Sequence, residues 1–209
     1  ADGVMGDIGV NPNLSQGTAY DANRNQLPPG VLATPAIQGP RITAGKNIGR
    51  ITVTNGSIFE AFIYAARAIG TVDVNGNITK DNQTQGQGTV IAAGSSIFTV
   101  RATGNIGYTD VLAGIRSFGD DNLPGGIGAD ADSVQSGRIT TVHADGTGNS
   151  IRVSAGMNAG ADGQYNTFDE TVVLGISYVR EVTFGGGVIS SVSVFADSPT
   201  FSSNATVTT

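Results

Sequence analysis

Five side chains in the stretch GADGQYNTFDE, Gly160 to Glu170, carry the kind of oxygen that binds hard cations. Asp162, Gln164 and Asn166 occupy alternate positions, and Asp169 and Glu170 follow. Ca²⁺ collects roughly six to eight oxygens from carboxylates, amides and carbonyls on a flexible loop, so these five residues form a candidate Ca²⁺ ligand set. The loop is not an EF-hand. Thr167 stands where the turn glycine belongs, and Val173 where the closing glutamate belongs. A local role competes with the metal, because Asp and Asn also favour turns by bonding their own backbone.

A second acidic stretch, GDDNLPGGIGADADS, holds Asp120, Asp121, Asp130 and Asp132. Its GGIGADADS portion fits the opening of the glycine-rich calcium nonapeptide, but it occurs once, and Asp132 takes the apolar eighth place. Arg116 beside Asp120 and Asp121 has the composition of an acidic-polysaccharide-cleaving site, although nothing in the spacing requires one. His143 is the single histidine, too few for a metal triad, and no Gly-x-Ser-x-Gly elbow supplies a nucleophile. The expectation is therefore no catalytic activity. The sequons NGS, NIT, NQT and NAT arise readily in any chain rich in Asn and Thr turns.

The elements that would carry these loops are suggested by composition. The 209 residues include 31 glycines but no Cys or Trp, and only 13% are charged. Such a chain is poor in helix formers and suited to short strands joined by tight turns. The net charge is −6, with Lys46 and Lys80 the only lysines and no basic cluster, so nucleic acid is not an expected partner. No run approaches the ~18 apolar residues of a membrane span.

A repeat organises the strands. Apolar residues spaced by three recur at Ile48/Ile51, Ile69/Val72, Ile97/Val100, Ile139/Val142 and Val179/Val182. A glycine turn follows each pair: NGSI, NGNI, TGNI, GTGNSI and GGGVI. Each copy then closes on an apolar residue, one intervening residue and Ala, at Ala65, Ala92, Ala113, Ala155 and Ala196. A compact unit takes about 20 residues, and most extra length enters just after the closing Ala-Gly. This pattern predicts an all-β fold, a right-handed parallel β-helix or β-solenoid with ~20-residue rungs and loop insertions at one corner. A β-sandwich or jelly roll is the alternative, since it also has many short strands and glycine turns. FEAFIYAARA has helical spacing at Phe59, Phe62, Ile63 and Ala66, but the repeat places it on a strand.

Ile42-Thr43-Ala44-Gly45 is another such ending, so a further rung precedes residue 45. Residues 1–41 read as a loop-rich segment packing on or leading into the solenoid, and residues 42–209 as solenoid with an incomplete terminal rung. ADGVMGD reads as the corner loop of an earlier rung, with Asp2 in the place of Asp162. PTFSSNATVTT reads as the first strand of an unfinished one. Such ends suit either a piece of a longer solenoid or a subunit that receives another copy on its exposed strand edges.

The phrases SGRITTV, VSAGMNAGADGQYNTFDE and SYVREVTFGGGVISSVSVFA resemble the β-helical repeats of very large secreted or surface proteins of bacteria, planctomycetes in particular. The resemblance covers most of residues 42–200 and not the segment with QLPPG and ATPAIQGP. It implies an extracellular or cell-surface structural module. The expected partners are further copies of the chain or the rest of a longer parent protein. A carbohydrate-binding or adhesive module using the loop face, with glycans as ligand, is the second expectation. A polysaccharide-acting enzyme is the third.

Overall fold

A computed structural model gives the tertiary structure; it describes residues 5–10, 40–80, 88–120, 126–159 and 176–196. The strands are β1 (Met5–Val10), β2 (Arg41–Ala44), β3 (Asn47–Val53), β4 (Ile58–Phe59), β5 (Phe62–Ala65), β6 (Ala68–Val74), β7 (Ile78–Thr79) and β8 (Thr89–Ala93). They continue with β9 (Ser96–Ala102), β10 (Ile106–Ala113), β11 (Ile115–Ser117), β12 (Ser133–Val134), β13 (Arg138–Ala144), β14 (Gly148–Ala155), β15 (Tyr178–Phe184) and β16 (Val192–Ala196). The only helical element among the described residues is a 3₁₀ turn, Gly128–Asp130. No helix there is long and apolar enough to cross a membrane.

The chain passes back and forth between two sheets, with β4–β5 and β7–β8 consecutive in the same one and β11–β12 set apart as a pair. One is six-stranded in the order β1-β3-β6-β9-β13-β15, and the other is eight-stranded, running β16-β14-β10-β8-β5-β2 with β4 and β7 alongside. Every pairing within these two sheets is parallel. The sandwich alternative, which needs antiparallel sheets, is therefore corrected. FEAFIYAARA contributes strand residues and no helix, as the repeat predicts.

Register explains why the sequence repeats. Ile48, Ile69, Ile97, Ile139 and Val179 are paired in one column, and Ile51, Val72, Val100, Val142 and Val182 in the next. All ten are fully buried. On the facing sheet, Ile42, Ile63, Ile91, Val111, Val153 and Val194 form a matching column. β-branched side chains suit this arrangement, because each packs on its equivalent one strand away. The closing alanines also stack, but the third member is Ala93 and not Ala92: Ala65 pairs with Ala93, which pairs with Ala113. Ala92 faces the other way, because strand side chains alternate and a one-residue slip reverses the face.

The turns stack as well. The Asn77 N–H donates to Ser57 Oγ at 2.9 Å, and the Asn105 N–H to Asn77 Oδ1 at 2.7 Å. The Thr147 N–H completes the series on Asn105 Oδ1, at 2.7 Å. Each turn residue thus satisfies a backbone donor of the following repeat. At the closing corner, Gly156 has φ +66, and a Cβ there would lie 2.0 Å from Ser177 Oγ. Both conformation and space require glycine.

Two expectations change. Met5, Asp7, Ile8, Gly9 and Val10 pair with Ile48, Arg50, Ile51, Thr52 and Val53, so MGD within ADGVMGD is sheet strand and not corner loop. The segment 1–41 therefore supplies the edge strand of the six-stranded sheet. The first insertion is also not a simple projection from its corner. Its strands β11 and β12 pair antiparallel, and Ile115, Phe118 and Val134 pack with Phe62, Val90, Ala92 and Leu112 in a second apolar cluster. Phe118 meets Phe62 and Tyr64 edge-on, with ring centroids 5.1 and 5.2 Å apart. Ala92 belongs to this cluster, so its sheet is buried on both faces where the insertion lies.

Candidate functional site

The strands of the six-stranded sheet bury one set of residues and present the others outward, and the titratable groups gather on that outer face. His143, near the end of β13, is paired with Thr183 of β15 on one side and with Arg101 of β9 on the other. Its Nδ1 lies 2.6 Å from Thr183 Oγ1, and its Nε2 lies 2.7 Å from Asp145 Oδ1 in the following turn. With a neutral ring, the Nε2–H donates to the carboxylate and Nδ1 accepts the threonine hydroxyl. Arg101 reaches the other oxygen of Asp145 at 3.4 Å. The hydrogen bond from His143 is the chief cause holding the Asp145 carboxyl below its ordinary range, with Arg101 adding to it.

A hydroxyl, an imidazole and a carboxylate in series are the parts of a nucleophilic relay. The N–H groups of Gly185 and Gly186, which follow Thr183, are already bonded to Ala144 O and Gly146 O at 2.9 Å, and so offer no oxyanion hole. The cluster works as a cross-strand network tying β9, β13 and β15 together. Only the register of β13 and β15 brings Thr183 opposite His143. On the same face Arg50 pairs with Asp73 at 3.2 Å, an exposed pair of the sort that contributes about 0–1 kcal/mol.

The acidic stretches divide. Asp162, Gln164, Asn166, Asp169 and Glu170 lie outside the described residues, as does Asp121. The Asp120 backbone N–H donates to Ala129 O, and the Asp130 backbone N–H to Ile127 O. Arg116 contributes its carbonyl, which accepts the Tyr64 hydroxyl at 2.7 Å. Burial raises the Tyr64 pKa, and the charge of Asp132 raises it further. Among the described residues, no three or more His, Asp or Glu side chains are grouped so as to hold a metal ion.

The two insertions do leave neighbouring corners. Ala113 pairs with Ala155, and the Gly156 N–H donates to Ala113 O at 2.9 Å. Ala159, at the start of the second insertion, packs into the apolar cluster built by the first. No protein-family model, curated protein or solved structure matches the chain.

Proposed function

We propose that the chain is a structural β-solenoid module of a bacterial extracellular or cell-surface assembly. In this reading the two parallel sheets wind as a right-handed coil with rungs of about 20 residues. The observation that carries it is the register of the Ile and Val columns, which run through β3, β6, β9, β13 and β15 of the six-stranded sheet without a slip. A stack of this kind stabilises itself by nearest-neighbour contacts and lengthens by adding units. Strands from a second copy, or from a longer parent chain, would extend the same columns by pairing head to tail.

Electron microscopy of the purified chain tests the assembly. Elongated particles or filaments are expected, with strands across the long axis at ~4.8 Å spacing. Uniformly compact particles at every concentration would remove it. The loop from Asp162 to Glu170 is proposed to bind Ca²⁺, and a thermal melt unchanged by chelator would withdraw that assignment. The second reading, an adhesive module that binds carbohydrate, is favoured by one observation: Phe98, on the outer face of β9, is 54% exposed. No catalytic role is proposed.

A further inference from the structure

On the outer face of the six-stranded sheet, Phe98, Thr140 and Arg180 fall in one column. The flanking pairs Ile97–Ile139–Val179 and Thr99–Thr141–Glu181 fix that alignment across β9, β13 and β15. Two residues earlier, on the same face, Ser96, Arg138 and Tyr178 form the adjacent column. Phe98, Arg138 and Arg180 are exposed; Ser96, Thr140 and Tyr178 are partly so.

The charges on this face are unevenly matched. Arg50 and Arg101 are paired with Asp73 and Asp145. Among the described residues, Arg138 and Arg180 make no ion pair, although Glu181 lies next in the chain. Arg138 instead holds its guanidinium 5.9 Å from the centre of the Tyr178 ring, which orients the group without neutralising it. Two unneutralised guanidinium groups therefore lie within two strands of an exposed aromatic ring, on a chain whose net charge is −6.

We infer that this face binds a carboxylated polysaccharide, with Phe98 stacking on a sugar ring and Arg138 and Arg180 taking its carboxylates. A guanidinium matches a carboxylate with two parallel N–H donors, and the Thr140 hydroxyl between them suits a sugar hydroxyl. Phe98 and Arg180 stand two strands apart, about 10 Å, a distance that a short run of sugar rings spans. Nucleic acid is a poor fit, because a phosphate backbone needs an extended basic track that the face lacks. A protein partner is a poor fit as well, since Phe98 is the one large apolar side chain exposed on these strands and stable protein interfaces bury a sizeable apolar core. This surface lies within one copy of the chain, so the inference does not depend on filament formation.

Affinity electrophoresis at a concentration below any assembly tests it, with alginate or polygalacturonate in the gel and dextran as the neutral control. Retardation by the acidic polymers alone is expected, weakening as salt is raised. Phe98→Ala and the double variant Arg138→Gln/Arg180→Gln should each weaken binding by about tenfold or more, with the thermal melt unchanged. Phe98→Tyr, which keeps the ring, should retain binding, and the charge reversal Arg180→Glu should abolish it. Absence of retardation, equal retardation by dextran, or full binding by the double variant would each overturn the inference. A failure here leaves the solenoid reading standing, and compact particles in the microscope leave this one standing.

Discussion

Among the described residues, Asp145 and Tyr64 are the two side chains whose protonation the fold shifts, in opposite senses. The Asp145 carboxyl is held below its ordinary range, first by its hydrogen bond with His143. A carboxyl depressed in the folded state contributes stability above its unfolded pKa, and loses it as pH falls through the folded value. Carboxyl titration by NMR should place Asp145 nearer an ordinary aspartate in His143→Ala, with a smaller move in Arg101→Ala. An unmoved titration in His143→Ala would show that the imidazole is not the cause. Tyr64 is raised, by burial first and by Asp132 second. Its contribution is complete below the ordinary tyrosine value of 10.0 and is lost as pH climbs through the folded value. Spectroscopic titration of the phenol should show Asp132→Asn moving part of the way back. Tyr64→Phe should abolish this pH dependence and cost about 1 kcal/mol, through the bond lost to Arg116 O.

At the scale of elements, each strand is shaped by its neighbour in the stack. The column Val53, Val74, Ala102, Ala144 ends on Phe184, a large side chain where small ones precede it. The column Ile58, Ile78, Ile106 breaks at Gly148. These departures compensate each other: a Cβ on Gly148 would sit 3.0 Å from the Phe184 ring. Restoring the missing isoleucine by Gly148→Ile should cost about 1–3 kcal/mol from overpacking. Phe184→Ala alone should cost about 3–5 kcal/mol by emptying the space. Combined, the two changes should recover part of the loss, a coupling that denaturant unfolding measures as a double-mutant cycle. Strictly additive costs would mean that the two side chains do not share that space.

At the scale of the whole molecule, each described strand of the two parallel sheets pairs with its immediate neighbours, so protection should be graded across the sheets. Hydrogen exchange is expected to be slowest in β6, β9 and β13, which have partners on both sides, and faster in β15 and β16. Ile97→Ala, at the centre, should cost about 2–5 kcal/mol and raise exchange in both flanking strands. Uniform protection from β3 to β16 would instead indicate a single all-or-none unit.

The sequence by itself determined the all-β class, the repeat and its inward residues. Ile48/Ile51 and their equivalents recur because each occupies the same place beside a copy of itself, which makes packing visible as periodicity. It also located the two insertions after Ala113 and Ala155. Register within Val90-Ile91-Ala92-Ala93 was ambiguous in the linear chain, since two consecutive alanines fit the motif equally well. Only the paired neighbours Ala65 and Ala113 decide that Ala93 faces inward. Tertiary structure alone decided the folding-back of Ile115 and Phe118 on to Phe62 and Tyr64, and the meeting of His143 with Thr183. It also decided the line of Phe98, Thr140 and Arg180. These contacts join residues far apart in sequence, on outward faces where no repeated side chain is needed. Periodicity records what the core demands of every repeat, and the outer surface is free to differ from one repeat to the next.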